Sequence, residues 1–307
     1  MLYLSFIWHM HQPYYKNLLT NEAELPWVRL HGIKDYADMV TILKDFPRIH
    51  QTFNLVPSLI EQINSYVDGS MSDTFMRLSR KRADTLLKKE KQFIIENFFM
   101  ADVNRIISFY PRYNELYVLK KGKNEFTHQD VLDLQVWFNL AWFDPVYKNT
   151  IKELSDLIQK GRSFSEEEKN VVLDKQIEIL ASILPTYREF QEKGQIEVSI
   201  TPYFHPLLPL LIDTEIATSA NKSTTLPQNN FRYPHDCSWH IREAVKCYFD
   251  TFNRAPCGMW PSEQAISQHV IPFIVKNNFR WIVLDEALIL KYMKMKKQKK
   301  ERAEIIY

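Results

Sequence analysis

Residues 195–210, Gln195-Ile-Glu-Val-Ser-Ile-Thr-Pro-Tyr-Phe-His-Pro-Leu-Leu-Pro-Leu210, change character at Thr201. Up to that point Ile196, Val198 and Ile200 alternate with Glu197, Ser199 and Thr201, which is the period of a β-strand with one apolar and one polar face. A carboxylate on so short a strand is costly to bury unless it is paired or meets a ligand, so Glu197 is a candidate binding residue. A surface glutamate on an edge strand is the plainer alternative. Beyond the strand, Pro202, Pro206 and Pro209 forbid regular structure and lock a loop that holds Tyr203 and His205. His205 is a candidate for the same site, or a loop histidine bonded to backbone.

Working outward, the same strand-then-polar pattern recurs. The amino terminus, Leu2-Tyr-Leu-Ser-Phe-Ile-Trp8, is short and apolar, and it runs into His9-Met-His11-Gln-Pro13; a strand buried on both faces is expected there. Residues 35–46 carry Tyr36, Met39, Val40 and Leu43 at helical spacing, and Thr52-Phe-Asn-Leu-Val56 reads as a second strand closed by Pro57, with Ser58 capping the next helix. Residues 71–191 turn to long amphipathic helices, among them 91–100, 131–141 and 171–190. Strand signals return around Gly258-Met-Trp260 and at Trp281-Ile-Val-Leu284, with a helix of about a dozen residues between them. The expected organisation is first barrel strands and helices in 1–70, a helical insertion in 71–191, and further barrel strands in 192–307.

Strands alternating with helices predict an α/β fold with a parallel sheet, either a barrel or a doubly wound sheet. The barrel is favoured because polar residues (His9, His11, Glu197, Glu263 and Asp285) fall at several strand ends, where a barrel gathers its chemistry in one mouth. With 307 residues, 45% of them apolar, the chain can bury a sizeable core and is not a disordered protein. A net charge of +2 excludes a general pull toward nucleic acid, and the basic run at 291–300 reads as a solvated face. Cys237, Cys247 and Cys257 form neither a CxxC pair nor an even disulfide set, so free thiols in a reducing compartment are expected. The amino terminus lacks a basic start and a small-residue cleavage site, and no apolar stretch reaches the ~20 residues that span a bilayer. A cytoplasmic protein without membrane partners follows as the expectation.

Cys257-Gly-Met-Trp-Pro-Ser-Glu263 puts an indole and a carboxylate in one turn. The turn reads as leading into a helix, with Ser262 or Ser267 as the cap; a carboxylate there stays ionised in the helix dipole, which suits a nucleophile. An ordinary helix start is the alternative. Cleaving a glycosidic bond takes two carboxyl groups, and spacing alone does not choose among Glu263, Glu197 and Asp285.

His11-Gln-Pro13, the stretch from Gly194 through Leu210, and Gly258-Met-Trp-Pro-Ser-Glu263 resemble, in that order, the first three conserved regions of glycoside hydrolase family 57. Leu25-Pro-Trp-Val-Arg-Leu-His-Gly-Ile-Lys-Asp-Tyr36 and Phe53-Asn-Leu-Val-Pro-Ser58 look like that family too. The resemblance implies an incomplete (β/α)7 barrel and a retaining mechanism on α-glucans such as starch, glycogen or maltodextrin, with no metal or other cofactor in the chemistry. It assigns Glu263 as the nucleophile and His11, Glu197, His205 and Trp260 as substrate-site residues; His9 and Asp285 join them by position. The family's fourth region, with its acidic aspartate, and its fifth are expected after Tyr307, so the resemblance implies a chain cut before the last barrel strands and unable to complete turnover alone. The partner it implies is an oligosaccharide or polysaccharide; oligomeric state is open.

Two other readings stand beside this one. A metal-dependent hydrolase or deacetylase would use His9 and His11 on one face of a strand end, with His205 and Asp285 completing a zinc site. A non-catalytic carbohydrate-binding protein would keep the cleft and could extend it with Tyr110, Tyr113, Tyr117, Trp137 and Trp142, although aromatic stripes on helices are usually core packing.

Overall fold

Five short segments rich in β-branched and aromatic residues pair side by side in the order in which they occur. The computed structural model describes residues 4–295, with side chains to residue 290. The first three residues of the chain, the lysine-rich run beyond residue 295 and the 299–307 segment lie outside the described residues. The strands are β1 (Ile7–Met10), β2 (Glu22–Ala23), β3 (Gln51–Leu55), β4 (Ser72–Asp73), β5 (Ile196–Ile200), β6 (Gly258–Met259) and β7 (Trp281–Ile282). The main sheet runs β1-β3-β5-β6-β7 and is parallel throughout. Its order never reverses. A doubly wound sheet needs a reversal at its switch point, so the progression is that of a singly wound, barrel-type α/β fold.

The chain divides into two compact units. The sheet unit comprises the described residues of Met1–Tyr14, Pro47–Ile60 and Tyr187–Tyr307. Phe53, Leu55, Val198 and Ile200 on one face of its central strands and Asn54 and Ser199 on the other are buried, so β3 and β5 are covered on both faces; the first strand, expected over Leu2–Trp8 with both faces buried, is instead Ile7–Met10 at the sheet edge, with Phe6 and Trp8 exposed. Helix Pro234–Phe252 packs on this sheet, and its Tyr248 hydroxyl donates to the Val198 carbonyl at 2.9 Å. Cys237 and Ile241 from that helix join Leu208, Met259, Val270 and Ile274 in one apolar cluster. The expected dozen-residue helix before β7 is shorter, Ile271–Lys276.

The helical unit, Tyr15–Phe46 and Glu61–Thr186, contains β2 and β4 as its own two-stranded parallel sheet. Its helices include Lys88–Asn97, Pro111–Lys121 and His128–Leu140. Arg29 is fully buried there and is matched by a fork of acceptors: Nε and Nη2 donate to Asp73 at 2.9 and 3.2 Å, and Nη1 donates to Asn139 at 2.9 Å. Tyr66 donates to the same aspartate at 2.8 Å. Tyr110, Tyr113, Trp137 and Trp142 are buried, and Tyr117 packs on Phe99. Four of these rings are core and Tyr117 is half-buried, which favours core packing over an extended ligand cleft: their apolar faces are spent on one another, as between Tyr110 and Trp137 at 4.6 Å.

A histidine cluster at the strand ends

Parallel pairing brings His9, Asn54 and Ser199 level across β1, β3 and β5. Their side chains form a chain of hydrogen bonds: Asn54 Nδ2 donates to Ser199 Oγ at 3.1 Å, and Asn54 Oδ1 lies 2.6 Å from His9 Nδ1. Asn54 and Ser199 are fully buried, so this is a satisfied polar network inside the sheet unit. Sequence reading missed Asn54. The available signal was a lone amide between Phe53 and Leu55, which is costly to bury without a partner.

His11 follows two residues after His9. His205 comes from the proline-locked loop after β5, where its backbone adopts φ 58° and its N–H donates to the Pro202 carbonyl at 2.8 Å. A left-handed histidine is uncommon and is kept only where the surroundings over-determine it. The imidazoles of His11 and His205 stack at 4.2 Å, and that of His9 lies 5.2 Å from that of His205. Trp260 extends β6 by donating its backbone N–H to the Ile200 carbonyl at 2.7 Å, and its indole stacks on His9 at 4.9 Å. Glu263 closes the group: its Oε1 stands 3.9 Å from His205 Nδ1, with the side chain 75% exposed.

Charge follows from this geometry. Burial, then the neighbouring His11 and His9, pushes the His205 ring down to about 4. His11 is also lowered, by burial and by His9, with Glu263 opposing. Both rings are therefore neutral near neutral pH, each offering one donor and one acceptor. His205 Nε2 and Ser262 Oγ are buried without a hydrogen-bond partner among the described residues.

The other expected site residues stand elsewhere. Glu197 shares the polar face of β5 but pairs with Thr52, two residues or about 6.6 Å before the level of His9. It accepts from Trp281 Nε1 at 3.0 Å, and both line a separate cavity of about 400 Å³ with Tyr248, Arg254, Cys257 and Arg280. Asp285 is exposed and caps helix Glu286–Met295 by accepting from the Ala287 N–H at 2.7 Å. The expected helix start at Glu263 is absent: Ser262–Gln264 is a single 3-10 turn with Glu263 and Gln264 left-handed, at φ 51° and 57°, and the next helix begins at Ile271. No helix dipole acts on Glu263.

Imidazoles, an indole and a carboxylate thus gather at the carboxyl ends of parallel strands, the end at which an α/β barrel collects its site residues. The chain belongs to glycosyl hydrolase family 57, whose family model matches residues 5–304. A stretch of 96 residues, 31% of the chain, is 25% identical to α-amylase 1 of Dictyoglomus thermophilum and spans 11% of that protein. Among solved structures, the α-amylase AmyC of Thermotoga maritima is similar over 92% of the chain and 39% of its own length, at 15% identity and a TM-score of 0.46. A GH57-type branching enzyme of Pyrococcus horikoshii is similar over 95% and 43%, at 16% identity and a TM-score of 0.48. The chain thus spans about two fifths of these solved relatives and a ninth of the curated one. No helix among the described residues is long and apolar enough to cross a membrane.

Proposed function

We propose that this chain carries the nucleophile of a retaining glycoside hydrolase or glucanotransferase acting on α-glucan, and that the nucleophile is Glu263. The observation that supports it is the meeting of Glu263 with His11 and His205 beside Trp260, a carboxylate open to solvent next to neutral imidazoles and an indole. In this reading a Glu263 carboxylate oxygen attacks the anomeric carbon, the bond from that carbon to the leaving oxygen breaks, and a glycosyl ester forms. His11 and His205 hydrogen-bond sugar hydroxyls, accepting through one nitrogen and donating through the other, and Trp260 stacks on a ring face. The leaving oxygen takes its proton from a second carboxylic acid, for which the reading assigns no residue of this chain. Water or a sugar hydroxyl as the final acceptor separates hydrolysis from transfer.

A fluorinated α-glucosyl fluoride tests this directly, because its leaving group departs without protonation. Intact mass and peptide mapping should find one glycosyl adduct on Glu263, absent from Glu263→Gln. An adduct on another carboxylate overturns the assignment. Maltooligosaccharide binding without any adduct supports the carbohydrate-binding alternative instead.

A further inference from the structure

We propose that His9, His11 and His205 together bind one divalent ion of the zinc class through their imidazole nitrogens. One ligand nitrogen from each ring lies within 4.8 Å of the others. Around a tetrahedral zinc with bonds of about 2.0–2.1 Å, such nitrogens stand about 3.4 Å apart, a closure that small side-chain rotations supply. His9 is already oriented for this role. Asn54 is anchored by its donation to Ser199, which turns its carbonyl oxygen, an acceptor, to His9 Nδ1 and leaves Nε2 as the nitrogen to ligate. A ligating histidine held by a buried acceptor on its other nitrogen is the usual outer-shell arrangement of metal sites.

His205 supplies an independent observation. Its side chain is only 6% exposed, yet its Nε2 has no hydrogen-bond partner among the described residues. A buried polar nitrogen left unmatched is costly, and an ion or ligand is what satisfies it. An all-imidazole donor set selects zinc, nickel or copper rather than magnesium or calcium, which require oxygen ligands. Three protein ligands leave a fourth position open, and Glu263 Oε1 lies 3.9 Å from the other nitrogen of His205, Nδ1.

This ion takes no part in the proposed glycoside chemistry. It would occupy the nitrogens assigned above to sugar hydroxyls, so ion and sugar would exclude one another; that consequence alone rests on the glycan reading.

Isothermal titration of the full chain with zinc chloride, and the electronic spectrum after cobalt(II) loading, test the site. One equivalent of zinc is expected, with a tetrahedral cobalt spectrum free of a thiolate charge-transfer band. His11→Ala and His205→Gln should each weaken zinc at least tenfold, and Asn54→Ala by about tenfold or more. Glu263→Gln should leave the stoichiometry at one. His9→Gln, at an exposed side chain whose new amide can still donate to Asn54, should weaken zinc similarly, with circular dichroism and the urea midpoint checking that the variant is folded. Absence of stoichiometric binding, a thiolate band, or unchanged affinity in the His9 and His205 variants overturns the site, whatever the adduct experiment shows at Glu263.

Discussion

His205 combines a left-handed backbone with a ring that is almost fully enclosed, and the two have one origin. Pro202 and Pro206 hold the loop, the Pro202 carbonyl takes the His205 N–H, and the ring is turned in against His11. The depressed pKa makes a signed prediction. The unfolded chain takes up a proton near the ordinary 6.5, whereas the folded protein refuses it until about 4. Between those values the unfolded state binds more protons, so stability falls as pH drops through the window, by at most about 1.4 kcal/mol per pH unit. Urea midpoints measured across that range should fall less steeply for His205→Gln than for the unaltered chain; parallel slopes would refute the assignment. Glu263 illustrates the opposite condition. It is exposed, without a helix dipole, and its place beside His205 comes from two successive left-handed residues that no spacing rule announces.

Gly258 and Trp281 sit level on β6 and β7, and the indole lies across the glycine. A Cβ added at Gly258 would fall 2.0 Å from Trp281 ring carbons. Gly258→Ala should therefore destabilise the sheet unit by about 1–3 kcal/mol through overpacking, and part of the loss should return when Trp281→Leu is added. Denaturation of the four members of that cycle measures the coupling, and full additivity would show that the close approach is not what matters. In the helical unit the comparable device is ionic. Asp73 accepts from Arg29, Tyr66 and the Met76 N–H in a fully buried setting, so Asp73→Asn leaves Arg29 charged and short of its partner. A loss of about 3–5 kcal/mol is expected in urea unfolding. Much of this element-level order was legible in advance. The strand at Gln195–Thr201 and the helices around residues 91–100, 131–141 and 171–190 follow from period and proline placement, and the observed Ile196–Ile200, Lys88–Asn97, His128–Leu140 and Glu166–Glu192 agree with them. The two-residue strands β2 and β4 were not legible, because two residues carry no period and exist only through each other.

Taken as one molecule, the chain presents an open five-stranded sheet among its described residues, with β1 and β7 at the edges. The approach to β1 is apolar and exposed, with Leu4 at 76%, Phe6 at 49% and Trp8 at 43%. An apolar edge with unpaired backbone groups is a template for association. Light scattering against concentration should show self-association of this chain, reduced when Leu4→Lys and Phe6→Lys are combined; no change would place the association elsewhere.

Local order was the sequence's own to determine: alternation made strands, helical spacing made helices, prolines ended both, and three motifs in order declared the family. Tertiary structure alone decided which polar groups meet. Parity along β5 sends Glu197 and Ser199 to the same face, but only register puts Ser199 level with Asn54 and His9 and leaves Glu197 a step away under Trp281. A strand's period is a property of neighbouring residues, whereas the height of one strand against another depends on packing between segments 45 and 145 residues apart here, and no local pattern encodes that.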